Sequence, residues 1–188
     1  MRVFQGFGAL PAFRHAVATV GAFDGVHAGH RALLERLTAE ARAAGGESVV
    51  LTFEPHPRIA LGQAEGLRLL TPLDRKIELL AESEVDNVVV IPFDRAFSAL
   101  SGREFIERHI CGAVGAETLI VGYNHRFGHD RLGAAEIEAL GLIRVVRVGE
   151  CRVAGQAVSS TVIRRLLDEG RVAEAERMLG HGPMKNEE

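Results

Sequence analysis

Two histidines three residues apart, in a turn punctuated by glycine, are the first residues of this chain that could do chemistry. The turn reads Gly21-Ala22-Phe23-Asp24-Gly25-Val26-His27-Ala28-Gly29-His30, between a β-branched run and a helical pattern. Glycines in a strand-to-helix turn let the backbone approach a ligand closely. The helix start offers unpaired N–H groups and a positive dipole end to an anion. His27 and His30 fall on one side of that first turn, where two imidazoles can donate hydrogen bonds to phosphate oxygens. A glycine-rich turn with two surface histidines fits the same letters. Zinc fits poorly, because His-x-x-His stands here without the glutamate of a zinc-protease helix. The Gly-Lys-Ser/Thr ending of a P-loop is absent.

Three more segments carry reactive or recognising side chains. In Phe53-Glu54-Pro55-His56-Pro57-Arg58 two prolines stiffen a loop at a strand end, which suits substrate contacts or simply terminates the strand. Gly122-Tyr123-Asn124-His125-Arg126-Phe127-Gly128-His129 gathers an amide, a guanidinium, imidazoles and aromatic rings. Rings can stack on a flat ligand and arginine can pair with phosphate; a solvated loop with Phe127 tucked into the core fits as well. In Val158-Ser159-Ser160-Thr161-Val162-Ile163-Arg164, three consecutive hydroxyls exceed what one N-cap needs. Arg164 lies one turn in, on the side of Ser160 and Thr161. Two helix starts suited to one polyphosphate, and two loops suited to an aromatic partner, point to nucleotide chemistry. No Gly-x-Ser-x-Gly nucleophile elbow occurs, and no Gly-x-Gly-x-x-Gly follows the first strand.

The elements that must position these loops are strands alternating with helices. Ala16–Val20, Ser48–Phe53, Asn87–Ile91, Thr118–Val121 and Ile143–Val148 are short apolar runs. The first four show little polar alternation, as strands covered on both faces do. Leu33, Leu34, Leu37 and Ala41 recur at helical spacing before Gly45-Gly46. Thr71-Pro72 opens a second helical segment containing Ile77, Leu79, Leu80 and Ala81. Ser101 with Glu104 makes a capping box. Ile163, Leu166 and Leu167 form an apolar face ending at Gly170, and a last helix runs from Val172 to Leu179 and stops at Gly180. The expected fold is α/β, a doubly wound parallel sheet, with ligands beyond the carboxyl ends of its strands. One domain is expected over residues 1–182, with 183–188 as a frayed tail.

Composition narrows the field. The 188 residues are 47% hydrophobic and 25% charged, which excludes a disordered or collagen-like chain. Lys+Arg 22 against Asp+Glu 25 gives a net charge of −3, which argues against a broad nucleic-acid surface. Aromatic residues are only 5% with no Trp, too few for a base-stacking platform. Cys111 and Cys151 form no Cys-x-x-Cys pair, so a reducing cytoplasm is the expected compartment. The N-terminus has no apolar signal core, and no run approaches the ~18 apolar residues of a membrane helix. Neither nucleic acid nor a membrane is an expected partner.

Gly25-Val26-His27-Ala28-Gly29-His30 resembles the His-x-Gly-His signature of the nucleotidylyltransferase superfamily. Taken in order with Thr52 to Pro57, Leu69 to Lys76, Arg126-Phe127-Gly128 and Ser159 to Arg164, it resembles the FMN adenylyltransferase (FAD synthetase) module of prokaryotic bifunctional riboflavin kinase/FMN adenylyltransferases. The resemblance covers roughly residues 15–182. It implies a Rossmann-like sheet of nucleotidylyltransferase type and the reaction FMN + ATP → FAD + pyrophosphate, with Mg2+ accompanying ATP and no protein ligand named for it.

Carried onto this sequence, it implies catalytic roles for His27, His30, Asn124, Ser160 and Arg164. Gly21, Phe23, Asp24, Gly25, Ser159 and Thr161 join His27, His30, Ser160 and Arg164 in binding ATP. Phe53, Glu54, Pro55, His56, Pro57, Asn124, Arg126 and Phe127 would bind FMN. Ala22 stands where the family often has Asn, and His125 where Phe is common. The segment from Gly128 to Ile143 is about one helical turn shorter. No riboflavin kinase domain is expected after Leu179-Gly180, and an FMN-supplying kinase is an expected partner. Another phosphate acceptor, or a flavin- or nucleotide-binding module without turnover, stays open.

Overall fold

A strand with apolar residues at every position needs cover on both faces, and the sheet supplies two. In the computed structural model, which describes residues 1–182, β2 (Ala16–Val20) is buried at every residue. Ala16, Ala18 and Val20 pack into one core with Val49, Leu51, Val89 and Leu119. Val17 packs into another with Val50, Val88 and Ile120. This is the strand period of two, read out on opposite faces.

Six parallel strands run in the order β1-β4-β3-β2-β5-β6. They are β1 (Arg2–Gln5), β2, β3 (Ser48–Glu54), β4 (Asn87–Pro92), β5 (Ala116–Gly122) and β6 (Arg144–Val148). On one face lie α1 (Ala28–Ala43), buried through Leu33, Leu34, Leu37 and Ala41, and α3 (Leu73–Ala81), buried through Leu79 and Leu80. On the other lies α5 (Gly102–Phe105), which continues in π-helical form over Ile106–Ala113, together with α6 (Ala134–Leu140). Single turns α2 (Pro57–Ala60) and α4 (Arg95–Ser98) follow β3 and β4. A hairpin of β7 (Arg152–Val153) and β8 (Gln156–Ala157) leads into α7 (Ser160–Asp168) and α8 (Val172–Leu179). These last two helices pack on Leu70 and Val158 as a third core.

The chain steps outward from β2 to β3 to β4, and β5 then returns to the far side of β2. That reversal opens a crevice beyond the carboxyl ends of β2 and β5, the usual binding place in an open α/β sheet.

The five apolar runs are strands and the expected α/β sheet is present. The Ser101–Glu104 capping box forms, with Ser101 Oγ accepting the Glu104 N–H and the Glu104 carboxylate accepting the Ser101 N–H. Three things were not expected. β1 is an edge strand with mostly exposed residues, so it lacks the buried-run signature. β7 and β8 have two residues each, too few to show a period. α2, α4 and α6 span seven residues at most. The expected frayed tail at 183–188 lies outside the described residues. Among the described residues no helix is long and apolar enough to cross a membrane.

Candidate active site

The turn between β2 and α1 is held in costly backbone. Phe23 (φ +49°) and Val26 (φ +34°) are both in the left-handed region and both buried, unusual for a bulky and a β-branched residue. Strain of this kind persists only where surroundings over-determine it. At Gly25 (φ +87°) a side chain would be strained by the backbone, and its Cβ would crowd Leu70 Cδ1 at 2.8 Å. The result is to swing His27 into the N-cap of α1.

His27 Nδ1 accepts the His30 N–H at 3.3 Å, which puts the His27 proton on Nε2. The two rings stack, 3.6 Å between centroids and 12° apart. Phe23 backs His30 at 5.0 Å. Gly29 permits the stack, because a Cβ there would stand 3.3 Å from the His27 ring. Burial pushes His27 down to about 4. Burial also pushes His30 well below its ordinary value, helped by the charges that His27, His125 and Lys76 would carry. Both imidazoles are therefore neutral near physiological pH, each with one N–H to give. His30 Nδ1 is buried with no hydrogen-bond partner, a cost of roughly 1–3 kcal/mol.

These rings face a cavity of about 300 Å³ beyond the ends of β2, β5 and β6. Gly21 and Phe23 line it from the β2 turn, Tyr123, Asn124 and His125 from the turn after β5, and Ser159, Ser160 and Thr161 from the start of α7. Ser159 is the N-cap of α7, accepting the Val162 N–H at 3.2 Å.

Asp24, Gly25 and Arg164 do not line this cavity; they brace it. Asp24 Oδ1 accepts the N–H groups of Leu70 and Thr71 at 2.9 and 3.0 Å. Its other oxygen pairs with Arg164, with both side chains largely buried. Arg164 Nε donates to Arg68 O at 2.7 Å, and Ser160 Oγ donates to Asp24 O at 2.9 Å. A single carboxylate thus ties together the β2 turn, the loop before α3 and the start of α7.

A second cavity, about 460 Å³, opens beyond β3 and β4. Phe53, Phe93, Phe97, Phe105 and Phe127 wall it, with Pro57 and Arg126 at its margin. The rings form an edge-to-face network, Phe53–Phe93 at 5.2 Å and Phe97–Phe105 at 5.5 Å, an arrangement aromatic quadrupoles favour. Glu54, Pro55 and His56 do not line either cavity. His56 caps α2, its Nδ1 accepting the Arg58 N–H at 3.2 Å.

Sequence reading missed several contributors. Phe93 and Phe97 follow β4 at a spacing of four, a signal that could have been used; Phe105, Gly149 and Cys151 carried none. Lys76 was missed as well. It is only 4% exposed, and its ammonium donates to Ala22 O, Thr52 Oγ1 and Phe53 O at 3.2–3.3 Å. It therefore fastens the turn of the first cavity to the strand end of the second. Burial lowers its pKa, and Glu54 and Asp24 oppose that fall. Lys76→Met would remove the ammonium donor to Thr52 Oγ1 and Phe53 O, while Ala22 O keeps Thr52 Oγ1 as a donor at 3.2 Å, and a urea transition is expected to show a loss of about 2–3 kcal/mol. A loss below half of that would mean the carbonyls find other donors.

The neutral histidines also set the acid stability of the unliganded protein. The His27 pKa falls from 6.5 to about 4 on folding. The unfolded chain therefore binds the proton first, and stability present above the unfolded pKa drains away as pH drops between those two values. At about pH 5 this one group costs roughly 2 kcal/mol, and His30 and His125 act in the same direction. The melting temperature is expected to drop by at least about 4–8 °C between about pH 7.5 and 5. A melting temperature that rises on acidification would contradict neutral imidazoles at this site.

A family model described as FAD synthetase matches residues 10–162 of this chain. A bifunctional riboflavin kinase/FMN adenylyltransferase from Listeria monocytogenes is 34% identical over 171 residues, covering 88% of this chain and 54% of that protein. Its counterpart from Escherichia coli K12 is 36% identical over 169 residues, with coverages of 88% and 54%. The chain thus spans about half the length of these relatives. Among solved structures, one described as a macrolide-efflux protein from Streptococcus pneumoniae superimposes with a TM-score of 0.86 at 26% identity, over 95% of this chain and 60% of that one. Pantothenate synthetase from Thermus thermophilus superimposes with a TM-score of 0.54 at 20% identity, over 96% of this chain and 81% of that one, a likeness of fold alone.

Proposed function

The chain belongs to the FAD synthetase family, and from that premise we propose that it transfers the AMP group of ATP to the phosphate of FMN, giving FAD and pyrophosphate. The observation that carries the reading is the pairing of two unlike cavities. One offers imidazoles, hydroxyls and a helix start to a polyphosphate; the other offers a phenylalanine wall to a flat ring; they meet at Val20 and His125.

In this reading an FMN phosphate oxygen attacks the α-phosphorus of ATP in line. The bond from that phosphorus to the oxygen bridging to the β-phosphorus breaks, and pyrophosphate leaves. A phosphate monoester has a second pKa of about 6, so the nucleophile is already an anion and no general base is needed. The work left to the protein is positioning and stabilisation of charge. His27 and His30 donate to the α-phosphate oxygens. Ser159, Ser160 and Thr161 at the start of α7 take the β- and γ-phosphates. Asn124 orients the attacking phosphate, and Gly21 and Phe23 flank the adenosine. Phe53, Pro57, Arg126 and Phe127 hold the flavin. Asp24, Gly25 and Arg164 serve ATP by fixing the β2 turn against α7, and Glu54, Pro55 and His56 shape the flavin loop.

Among the described residues no group of three or more His, Cys, Asp or Glu is placed to hold a metal ion. Mg2+ is proposed to enter with ATP, as this small cation usually does with nucleotides. An FMN-forming kinase is the proposed upstream partner. A cytoplasmic location is proposed too, in keeping with the unpaired Cys111 and Cys151.

The test is an acceptor panel: FMN, riboflavin, pantetheine phosphate, nicotinamide mononucleotide and a polyol phosphate, each with ATP and with CTP. Pyrophosphate is expected from FMN with ATP and from no other pair. Release with a different acceptor would replace FMN in the account. FMN binding with no release from any pair would make the chain a binding module.

A further inference from the structure

The two cavities have two lining residues in common, Val20 and His125. Val20 has no polar side-chain atom, so His125 alone can offer a hydrogen bond on that shared wall. Its ring is held in place from behind. It stacks on Phe127 at 4.3 Å and 29°, and Phe127 is itself buried against Phe105 at 6.2 Å. The His125 backbone N–H closes the turn after β5 by donating to Gly122 O at 3.2 Å. Among the described residues neither ring nitrogen has a hydrogen-bond partner. A ring fixed by stacking, with unused polar atoms at the junction of two cavities, is arranged to meet whatever spans them.

Resting on the reading above, the spanning group is the FMN phosphate, because the flavin lies on one side and the α-phosphate of ATP on the other. We propose that His125 is a phosphate-contact residue of this site, its ring N–H donating to an oxygen of the FMN phosphate where the two cavities meet. Burial pushes the imidazole down to about 4, so it gives this contact as a neutral donor and keeps its proton throughout. A neutral donor orients the attacking oxygen without adding a full positive charge beside the nucleophile.

Riboflavin differs from FMN only by the phosphate, so comparing the two isolates the contact. Flavin fluorescence quenching, without ATP, gives both dissociation constants for the unaltered chain, His125→Phe and His125→Gln. Phe keeps a ring against Phe127 and removes both nitrogens; Gln restores an N–H. The unaltered chain is expected to prefer FMN. H125F is expected to weaken FMN binding about tenfold and riboflavin binding less than about twofold, and H125Q to recover most of the preference. An equal loss for both flavins would mean that His125 only packs the ring, and would overturn the proposal. So would an unchanged FMN preference in H125F and H125Q, or an unaltered chain that binds FMN no tighter than riboflavin. Failure of the unaltered chain to make FAD would count against the reaction and leave this comparison readable.

Discussion

Replacing His30 by alanine lowers turnover about 100-fold or more, with the fold retained, if the stacked pair stabilises the transferring phosphoryl group. A preorganised donor aimed at developing charge is typically worth about 3–4 kcal/mol of barrier. His30 has the marks of one. Its ring is fixed between His27 and Phe23, it is neutral by burial, and its Nδ1 is buried without a hydrogen-bond partner. The loss should appear in kcat, with the KM for ATP changing only a few-fold, because the interaction strengthens in the transition state. Circular dichroism and a thermal melt check that the variant is folded. Near-normal turnover in a folded variant removes His30 from the mechanism.

Asp24→Ala has the second large effect, on stability first and on rate through it. Removing the carboxylate strands the Arg164 guanidinium, whose side chain is only 14% exposed, and frees the N–H groups of Leu70 and Thr71. Breaking one partner of a buried ion pair costs about 3–5 kcal/mol, visible as a lower urea midpoint. The same change loosens the β2 turn from α7, so turnover should fall at least about tenfold in the folded fraction. Adding Arg164→Met to Asp24→Ala removes the stranded charge, and part of the stability should return. A single variant within about 1 kcal/mol of the unaltered chain would mean the pair is as weak as a surface one, and the brace has no energetic basis.

What the sequence discloses and what it hides divide along range of contact. Strands β2 to β5 announce themselves because both of their faces are covered, so apolar residues fill nearly every position, as Ala16, Val17, Ala18 and Val20 do between two cores. The His27–His30 pair is legible because an N-cap residue and the residue three further on meet at the first turn of a helix, a relation that is local in sequence. The hydroxyl run at Ser159 is legible for the same local reason. Arg164 is different. Its type and helical position suggested a phosphate ligand, yet its partner lies 140 residues away, in Asp24. Lys76 shows in the sequence only as one letter of a motif, although it bonds Ala22, 54 residues back, and Phe53. Those contacts depend on α7 and α3 each being brought back to the end of β2, which no local period encodes. The phenylalanine wall was half visible. Phe53 and Phe127 sat in noticeable loops, whereas Phe93, Phe97 and Phe105 come from separate elements that meet only in the folded sheet.

The most direct measurement is a time course of the purified chain with FMN, ATP and Mg2+, following FAD by chromatography and pyrophosphate by a coupled assay. FAD and pyrophosphate are expected to rise together in equal amounts, with neither formed when riboflavin replaces FMN. FMN bound, ATP intact and no pyrophosphate released would contradict it.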